Sequence, residues 1–298
     1  MILVTGGTGF IGSRVVHGLR AEERPVRVLA RNPKDAETLA NWGCQVVEGD
    51  MTDAASLRRA VTGCEAVIDL VALISGSRED FERVMIRGTR DLVAAAKDAG
   101  VKRFVLMSAL GVSERTKDLT HYYHAKWDEE QAVQSSGLEY TIFRPSFVFG
   151  SDGGSLPIYI RQVRWSPVIT VIGDGTRRLQ PIWVDDVAAF FVKSFSIPET
   201  VNRTFEVAGP DVVTWDELYE RIRRVLGKKR AKVHMPYGLV RAGAAVVEKI
   251  PVDFPLSRDA VTMLEFDDNV TDIRPAVETF AIEPISLDEQ LRRAVAAA

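Results

Sequence analysis

Short apolar runs alternate with stretches of helical periodicity through the first half of the chain. The helical stretches cover 11–19, 34–42, 55–61 and 78–99, and a further helix ends at Gly137. Apolar strands that alternate with helices are typical of a parallel sheet covered on both faces, in which ligands bind at the C-terminal strand ends. The sequence therefore predicts an α/β fold with a doubly wound parallel sheet. The predicted strands are Ile2–Val4, Val26–Leu29, Gln45–Glu48, Ala66–Leu70, Phe104–Met107 and Tyr140–Phe143.

The alternation ends after Gly150, where residues 151–155 form a loop rich in glycine and serine. A predicted helix over 185–195 and a predicted strand over 204–207 have the patterns of elements that return to the sheet. The remainder is predicted to be helical with proline breaks. We therefore predict a core over 1–150, to which 181–210 returns, and a smaller, mainly helical C-terminal lobe over 151–180 and 211–298.

Composition excludes several classes of protein but does not indicate which reaction or ligand the protein has. The 298 residues carry 38 basic and 41 acidic side chains, a net charge of −3 that argues against a nucleic-acid-binding surface. No apolar run approaches the roughly 18 residues of a membrane span, and no signal peptide is recognised at the N-terminus. The two cysteines, Cys44 and Cys64, are too few for a disulfide scaffold. These features predict a cytoplasmic protein.

Four glycines lie within the first twelve residues, between the first predicted strand and the first helix. Their spacing fits both Gly7-x-Gly9-x-x-Gly12 and Gly6-x-x-Gly9-x-x-Gly12. A dinucleotide pyrophosphate binds to bare backbone N–H groups at a helix N-terminus, and glycine permits its close approach. A strand before the loop and a helix after it are the context that this motif requires, so we predict a dinucleotide site of Rossmann type.

The residues after the second predicted strand indicate which dinucleotide binds. No carboxylate occurs between Arg24 and Lys34, although an NAD-binding protein usually has an acid there for the ribose hydroxyl. Arg31 has the planar guanidinium that suits a 2′-phosphate, with Arg14 and Lys34 as helpers. We therefore predict that NADP(H) is preferred, while NAD(H) stays an alternative.

Asp50 lies just past the third predicted strand and has two interpretations. Its carboxylate is placed to accept a hydrogen bond from the adenine amino group. The residue equally suits a turn that precedes a helix.

Tyr122 precedes Lys126 by four residues, so the two share one face of a predicted helix. A neighbouring ammonium lowers the pKa of a tyrosine, and such a pair can protonate a carbonyl oxygen as a hydride arrives. Tyr123 is expected to pack. His121 and His124 lack a cluster of further ligands, so no metal site is predicted.

Taken together, these motifs resemble the short-chain dehydrogenase/reductase superfamily, in its extended and atypical branches, over about two-thirds of the chain. The chain looks most like the group related to the accessory subunit of respiratory complex I, on the segments 28–33, 206–210 and 257–270. The resemblance implies a Rossmann-like fold, a bound dinucleotide and a C-terminal substrate lobe. The residues that carry the resemblance to the superfamily are 5–12, Tyr122 with Lys126, 144–150 and 181–188. The cofactor-binding residues predicted with it are Gly6, Thr8, Gly9, Phe10, Ile11, Gly12, Arg14, Arg31, Asp50, Met51, Val71, Ala72, Lys126 and Pro145.

Two positions depart from the pattern of the extended branch. Leu110 stands where a serine or threonine hydroxyl is expected, and Met85 stands where an asparagine often precedes Gly88. Ser108 is therefore the predicted helper of Tyr122 and Lys126 in catalysis, and Ser113 is an alternative if the loop bends suitably.

Three functions remain open at this point. The first is an NADPH-dependent oxidoreductase that acts on a small carbonyl or quinone-like substrate beside the C-terminal lobe, with Phe147, Trp165 and Trp183 as candidate pocket walls. The second is a non-catalytic NADPH-binding protein that stabilises a larger assembly, for which 238–250 is a candidate docking helix. The third is a nucleotide-sugar epimerase or dehydratase, with Arg178 as the candidate phosphate contact.

Overall fold

A computed structural model describes residues 1–247, 258–266 and 268–297. The chain divides into two compact units. The first unit contains Met1–Pro145, Val184–Val207 and Ile273–Glu283, and the second contains Ser146–Trp183, Ala208–Asp272 and Pro284–Ala298. The segment Ile273–Glu283, which the sequence analysis assigns to the C-terminal lobe, thus groups with the first unit. Residues 248–257, which include the end of the candidate docking helix and Ser257, lie outside the described residues.

Strands and helices alternate along the first half of the chain, as the periodicity predicts. In the described residues the strands are β1 Ile2–Thr5, β2 Val26–Ala30, β3 Gln45–Glu48, β4 Ala66–Asp69, β5 Arg103–Met107, β6 Glu139–Pro145, β7 Val148–Phe149, β8 Val168–Ile172, β9 Arg178–Leu179, β10 Ile182–Trp183, β11 Arg203–Val207, β12 Val213–Thr214 and β13 Ala231–Met235. The α-helices are α1 Phe10–Ala21, α2 Glu37–Asn41, α3 Ala54–Val61, α4 Arg78–Asp80, α5 Gly88–Asp98, α6 His121–Gln134, α7 Leu156–Trp165, α8 Val184–Lys193, α9 Trp215–Leu226, α10 Tyr237–Val247, α11 Arg258–Phe266, α12 Arg274–Phe280 and α13 Leu287–Ala296. Short 3₁₀ turns lie at Pro33–Ala36 and Pro198–Thr200, and a π-helical segment lies at Phe81–Arg87.

The first unit is built on a seven-stranded parallel sheet with the order β11-β6-β5-β4-β1-β2-β3. Every residue of β1, β4 and β5 is buried, which is why these strands read as continuous apolar runs. The chain leaves β1 toward β2 and β3 on one side and crosses to β4 on the other. This reversal places the topological switch point between β1 and β4, and it confirms the predicted doubly wound fold.

The long helix predicted over 78–99 is present as three consecutive segments, α4, Phe81–Arg87 and α5. The middle segment has π-helical hydrogen bonding, which sequence periodicity does not predict and which often marks functional sites. Met85 lies fully buried in this segment, and its sulfur accepts a hydrogen bond from the N–H of Leu73 at 3.4 Å. The residue that replaces the expected asparagine is therefore part of the packing beside the end of β4.

A cluster of phenylalanine rings explains why α12 belongs to the first unit. The ring of Phe280 lies 5.5 Å from that of Phe143 on β6, 5.2 Å from Phe190 on α8 and 5.0 Å from Phe205 on β11. Phe280 is fully buried in this arrangement. Tilted and edge-on ring pairs of this kind add stability beyond the apolar area that they bury.

In the second unit, three two-stranded sheets accompany α7, α9, α10, α11 and α13. Strand β7 pairs with β10 and β8 with β13 in parallel, while β9 pairs with β12 in antiparallel fashion. These strands are absent from the sequence-based prediction. Most of them contain only two residues, which is too short for a recognisable periodicity.

A charged pair inside the first unit fixes helix α6 against the sheet. The guanidinium of Arg144 on β6 donates two hydrogen bonds to the carboxylate of Glu130, at 2.8 Å and 2.6 Å. Glu130 is completely buried, so the bidentate pair compensates a desolvated charge. The pairing sets the position of the helix that carries Tyr122 and Lys126.

Neither cysteine forms a disulfide, and both thiols are buried. Burial raises the pKa of both Cys44 and Cys64, although the charges of Arg20 and Arg27, respectively, act in the opposite direction. In the part of the chain that the structure describes, no helix is long and apolar enough to cross a membrane.

Candidate functional site

The predicted site residues of the first unit follow the carboxyl ends of its strands. The glycine loop follows β1, Arg31 follows β2, Asp50 and Met51 follow β3, and Val71 and Ala72 lie just beyond β4. Ser108 follows β5, and Pro145 is the last residue of β6. Because all of these strands are parallel, the sheet brings the residues to one edge. This is the edge at which doubly wound folds bind their ligands.

Backbone contacts hold the glycine loop tightly against its neighbours. Gly6 has a φ of +68°, which favours glycine, and its carbonyl accepts a hydrogen bond from the N–H of Gly9 at 3.0 Å. A Cβ on Gly12 would lie 2.0 Å from the Gly6 carbonyl oxygen, and a Cβ on Gly6 would lie 2.9 Å from the carbonyl carbon of Leu70. The first turn of α1 can therefore lie against the loop only because these positions lack side chains.

The N-terminus of α1 has the features of an anion-binding site. Gly9 is the N-cap residue, no side chain caps the helix, and its first turn contains no acidic residue. The first N–H groups of a helix have no intrahelical acceptor, and the helix dipole makes that end positive. Thr8 and Gly9 are exposed, and Phe10 and Ile11 are half-buried. The loop and the helix N-terminus thus fit a dinucleotide pyrophosphate.

The three predicted phosphate-binding cations differ in their surroundings. Arg14 donates a hydrogen bond to the carbonyl of Phe10 at 3.3 Å and lies 3.9 Å from the carboxylate of Asp185. Arg31 is exposed directly beyond β2, and Lys34 is exposed in the next turn. Arg14 is therefore occupied within the first unit, whereas the side chain of Arg31 extends into solvent.

Asp50 makes the hydrogen bonds of a turn. Its Oδ1 accepts hydrogen bonds from the backbone N–H and the hydroxyl of Thr52, both at 2.7 Å. Partial burial acts to raise the pKa of Asp50, but the hydrogen bonds from Thr52 and the charges of Arg31 and Arg83 lower it below its usual value. The turn interpretation thus describes the contacts that are present, and a hydrogen bond to adenine stays a prediction.

Lys126 is completely buried, and its ammonium lies between the ends of two strands. Its Nζ donates a hydrogen bond to the carbonyl of Met107 at 2.8 Å and approaches that of Val71 at 3.5 Å. The carboxylate of Glu129 lies 2.9 Å away as an ion pair. Burial acts to lower the pKa of Lys126, but Glu129 and Tyr122 raise it above its usual value. Lys126 therefore stays charged.

Tyr122 lies one helical turn before Lys126, half-buried beside Phe81, Met85 and Ala125. Lys126 acts to lower the pKa of this phenol, as the spacing of the pair predicts, but the pKa of Tyr122 nevertheless lies above its usual value. Burial raises the pKa of Tyr122, the charge of Lys126 only partly offsets this, and Glu129 adds to the rise. Tyr122 therefore keeps its proton at neutral pH.

Two residues after β5 bear on the missing hydroxyl of the family pattern: Ser108, the predicted helper in catalysis, and Leu110, which stands where a serine or threonine is expected. Ser108 is 2% exposed, and its Oγ has no hydrogen-bond partner within the described structure. Leu110 is buried, and its N–H donates to the carbonyl of Pro145 at 2.9 Å. The hydroxyl of Ser113 lies 2.9 Å from that of Thr116 and belongs to a local turn. Ser108 thus has the available hydroxyl, whereas Ser113 is engaged.

A buried polar chain, which the sequence analysis missed, connects the glycine loop to Lys126. The hydroxyl of Thr5 donates to Asp69 at 2.6 Å, and that of Thr89 lies 3.0 Å from Asp69 and 3.4 Å from Glu129. Each of the four side chains is at most 1% exposed. Burial raises the pKa of Glu129 to about 7, and Asp69 adds to the rise, while Lys126 acts to lower it. Two features of the sequence could have indicated this buried polar network. They are Asp69, an acid at the end of an apolar strand, and Glu129, an acid three residues after Lys126.

The other predicted residues do not belong to this buried polar network. His124 lies between Asp118, at 3.7 Å, and Asp128, at 3.4 Å. The described ranges contain no group of three or more side chains that could hold a metal ion. In the second unit, Arg178 forms an ion pair with Asp268 at 2.7 Å. Of the candidate pocket walls there, Trp183 is buried, Trp165 is 74% exposed and Phe147 lies edge-on to Trp215.

The model of a family described as NAD(P)H-binding matches residues 6–198, about two-thirds of the chain. The chain belongs to this NAD(P)H-binding family. The match covers the glycine loop, Tyr122 and Lys126, and it confirms the resemblance to the atypical short-chain dehydrogenase/reductases. The match shows an NAD(P)H-binding domain over residues 6–198 and indicates no preference between the two dinucleotides.

Named relatives include both reductases and a subunit of a larger assembly. The chain is 32% identical over 256 residues to (4-alkanoyl-5-oxo-2,5-dihydrofuran-3-yl)methyl phosphate reductase of Streptomyces griseus, covering 84% of this chain and 82% of the relative. It is 29% identical over 286 residues to the mitochondrial NADH dehydrogenase [ubiquinone] 1 alpha subcomplex subunit 9 of Arabidopsis thaliana, covering 90% and 70% of the two chains. The NADPH complex of the quinone oxidoreductase QOR2 of Escherichia coli has a TM-score of 0.80 at 21% identity, with 98% of each chain covered. The structural likeness shows that the fold is shared.

Proposed function

We propose that the chain is an NADPH-dependent reductase of a small carbonyl or quinone-like substrate, with Tyr122 as the proton donor. The observation that carries this proposal is the pairing of Tyr122 with a buried, charged Lys126 at the sheet edge that also holds the glycine loop. When bound, NADPH supplies the hydride for such a reduction. The reductase named among the relatives supports the same class of reaction.

Each residue of the pair has a role that its surroundings support. Because the pKa of Tyr122 is raised, its phenol is protonated at neutral pH and can donate the proton that a reduced carbonyl oxygen needs. The ammonium of Lys126, held by Met107 and Glu129, stabilises the phenolate that remains after the proton has left. Ser108 is the candidate donor that polarises the substrate oxygen, because its buried hydroxyl has no partner in the described structure.

We expect Arg31 to set the preference for NADPH over NADH. Replacement of Arg31 by alanine removes a charge-assisted contact to the 2′-phosphate, so the Kd for NADPH should rise about 10- to 100-fold. The Kd for NADH should change less than about twofold, because NADH lacks that phosphate. Fluorescence titration with both dinucleotides measures the two effects. Arg31→Lys keeps the charge but loses the planar guanidinium, so its Kd for NADPH should lie between those of the wild type and Arg31→Ala. Equal losses for NADPH and NADH would contradict the assignment.

The proposed activity is tested on the purified wild-type chain. Mass spectrometry of the dinucleotide that copurifies gives its identity and redox state. NADPH oxidation is then followed at 340 nm, the usual wavelength for this cofactor, with aldehydes, ketones and quinones offered one at a time. We expect substrate-dependent oxidation with stoichiometric formation of the alcohol or hydroquinone. Tight NADPH binding without oxidation by any member of the panel would contradict the reductase proposal.

A second function, a non-catalytic NADPH-binding protein of a larger assembly, is favoured by two observations. Leu110 replaces the expected hydroxyl and is buried, and the ammonium of Lys126 already has three acceptors. The relative from Arabidopsis thaliana carries the name of a complex subunit. This function predicts that bound NADPH exchanges slowly and is not consumed, whereas a reductase exchanges and consumes it.

A further inference from the structure

One face of the two-stranded sheet formed by β8 and β13 in the second unit is open to solvent. The strands pair in parallel, and side chains point alternately to the two faces of such a sheet. Ile169 and Val171 are completely buried on the inner face, whereas Val168, Val233 and Met235 on the outer face are exposed. The outer face consists of Val168, Thr170, Ile172, Ala231, Val233 and Met235. Because exposed apolar patches mark interaction sites, this face is a candidate docking surface.

An exposed tryptophan lies where this sheet begins. Trp165 is the last residue of α7, three residues before β8, and it is 74% exposed. Arg161 lies one helical turn before it on the same side of α7 and is also exposed. The ring of tryptophan has a large apolar surface and one N–H donor, which suits a boundary between water and an apolar phase. The end of α7 therefore presents an apolar and a basic side chain together.

Further basic side chains lie at the same end of the sheet. Residues 221–232 contain seven lysines and arginines and no acidic residue, although the net charge of the whole chain is −3. Lys228 and Lys229 are exposed in the loop between α9 and β13. Arg230 donates hydrogen bonds to two carbonyls in the last turn of α7, at 3.4 Å and 3.3 Å. These bonds fix the basic loop beside the turn that ends in Trp165.

The two lysines of this loop differ from other cations of the segment in having no acidic partner. In the part of the chain that the structure describes, neither Lys228 nor Lys229 forms an ion pair, so their charges are available to an external anion. The pairs that other cations of the segment form are Arg221 with Asp211 and Asp288, Arg223 with Glu220, and Lys232 with Asp216. The exposed apolar face is thus bordered by available positive charge.

We propose that the chain binds peripherally to membranes that contain anionic phospholipids, through a surface here called the basic apolar face. This surface comprises the outer face of β8 and β13, Trp165 and the loop 228–230. Its apolar side chains enter the boundary between headgroups and acyl chains, and its lysines bind the lipid phosphates. Lysine suits this place because its methylene stem stays in the apolar layer while the ammonium reaches the headgroups.

The mixed character of the basic apolar face favours a lipid surface as its occupant. A nucleic acid would bind the lysines but would leave Val233 and Met235 in contact with water, whereas an anionic membrane takes up both kinds of group. The apolar surface also continues along the chain into α10, where Leu239 is exposed. This helix forms part of the segment 238–250 that the sequence analysis considered for docking.

Sedimentation of the full chain with lipid vesicles measures this binding. Vesicles of phosphatidylcholine with about 30% phosphatidylglycerol should bind the chain more tightly than phosphatidylcholine alone, and about 0.5 M salt should weaken that binding by screening. Lys228→Gln/Lys229→Gln should lower the partition coefficient about 25-fold, from about fivefold for each lysine. Arg58→Gln/Arg59→Gln is the matched control, because it removes two adjacent exposed cations from α3 and reaches the same net charge. This control should bind like the wild type.

Tryptophan fluorescence tests which part of the surface meets the lipid. Anionic vesicles should shift the wild-type emission to shorter wavelength, because the ring of Trp165 leaves water. Trp165→Phe should lose this shift, and Trp42→Phe should keep it, since Trp42 is also exposed but lies in the first unit. Trp165→Ala should lower the partition coefficient about tenfold through the apolar area that is no longer buried.

Several outcomes would overturn the proposal. Equal partition coefficients for the two double glutamine variants would show that net charge alone governs binding, and an unchanged shift in Trp165→Phe would place the contact elsewhere. Binding of duplex DNA without binding of vesicles would assign the lysines to a nucleic acid. A dimer in sedimentation equilibrium that Trp165→Ala dissociates, with no binding of vesicles, would assign the face to a second copy of the chain. None of these measurements uses NADPH or a substrate, so the result is independent of the proposed reductase function.

Discussion

An alanine at position 12 is expected to abolish NADPH binding and to lower the stability of the fold. The new Cβ would lie 2.0 Å from the carbonyl oxygen of Gly6 and 2.8 Å from the Cα of Gly7. Both contacts are with backbone, so no side chain can rotate away. Gly6 has little room to move, because it lies against the backbone of Leu70. The loop must therefore separate from the N-terminus of α1.

That separation removes the backbone N–H groups from the positions that a pyrophosphate needs. Loss of two charge-assisted hydrogen bonds corresponds to a rise in Kd of more than about 100-fold. The strain of overpacking is expected to cost about 1–3 kcal/mol in the free energy of unfolding. Fluorescence titration with NADPH measures the first effect, and chemical denaturation of the ligand-free chain measures the second.

Gly243→Ala is the matched control for this substitution. Gly243 lies in α10, and a Cβ built there has no heavy atom within 4 Å. Alanine is a better helix former than glycine, so the variant should bind NADPH like the wild type and should not be less stable. Wild-type affinity of Gly12→Ala for NADPH would show that the loop is not the pyrophosphate site.

The periodicity of the sequence was sufficient to predict the doubly wound sheet, because short, mainly apolar strands alternate with helices and the central strands β1, β4 and β5 are completely buried. It could not predict that α12 joins the first unit. That association depends on Phe280 meeting Phe143, Phe190 and Phe205, which come from three distant parts of the chain. The two-residue strands of the second unit were also beyond prediction, because their pairing is set by tertiary structure.

The site shows a similar division between local and long-range information. The glycine spacing and the pair Tyr122 and Lys126 are local patterns, and the sequence displays them directly. The direction of the pKa shift of Tyr122 is not local, because burial outweighs the charge of Lys126. Asp69 and Glu129 are 60 residues apart, and only the packing of α5 and α6 beside β4 places both within reach of Thr89.

Replacement of Tyr122 by phenylalanine should lower kcat by a factor of about 10²–10⁴ and leave the Kd for NADPH nearly unchanged. The variant loses only the hydroxyl that donates the proton, while the ring keeps its packing beside Phe81 and Met85. Because the pKa of Tyr122 lies above its usual value of 10.0, the wild-type hydroxyl stays protonated up to that pH. Single-turnover rates should therefore show no alkaline decline from Tyr122 below pH 10, which follows from the raised pKa.

The neighbouring tyrosine provides the control. Tyr123 is also on α6 and is 9% exposed, and its hydroxyl donates to the carbonyl of Leu110 at 3.4 Å. Tyr123→Phe should lose a weak hydrogen bond and little activity, since this phenol is held in packing contacts near Gly111. Kinetics of both variants with the same substrate, together with NADPH titrations, separate chemistry from binding. Equal kcat values for Tyr122→Phe and the wild type would assign the proton transfer to another group, and a single-turnover rate that falls between pH 7 and pH 9 would contradict the raised pKa of Tyr122.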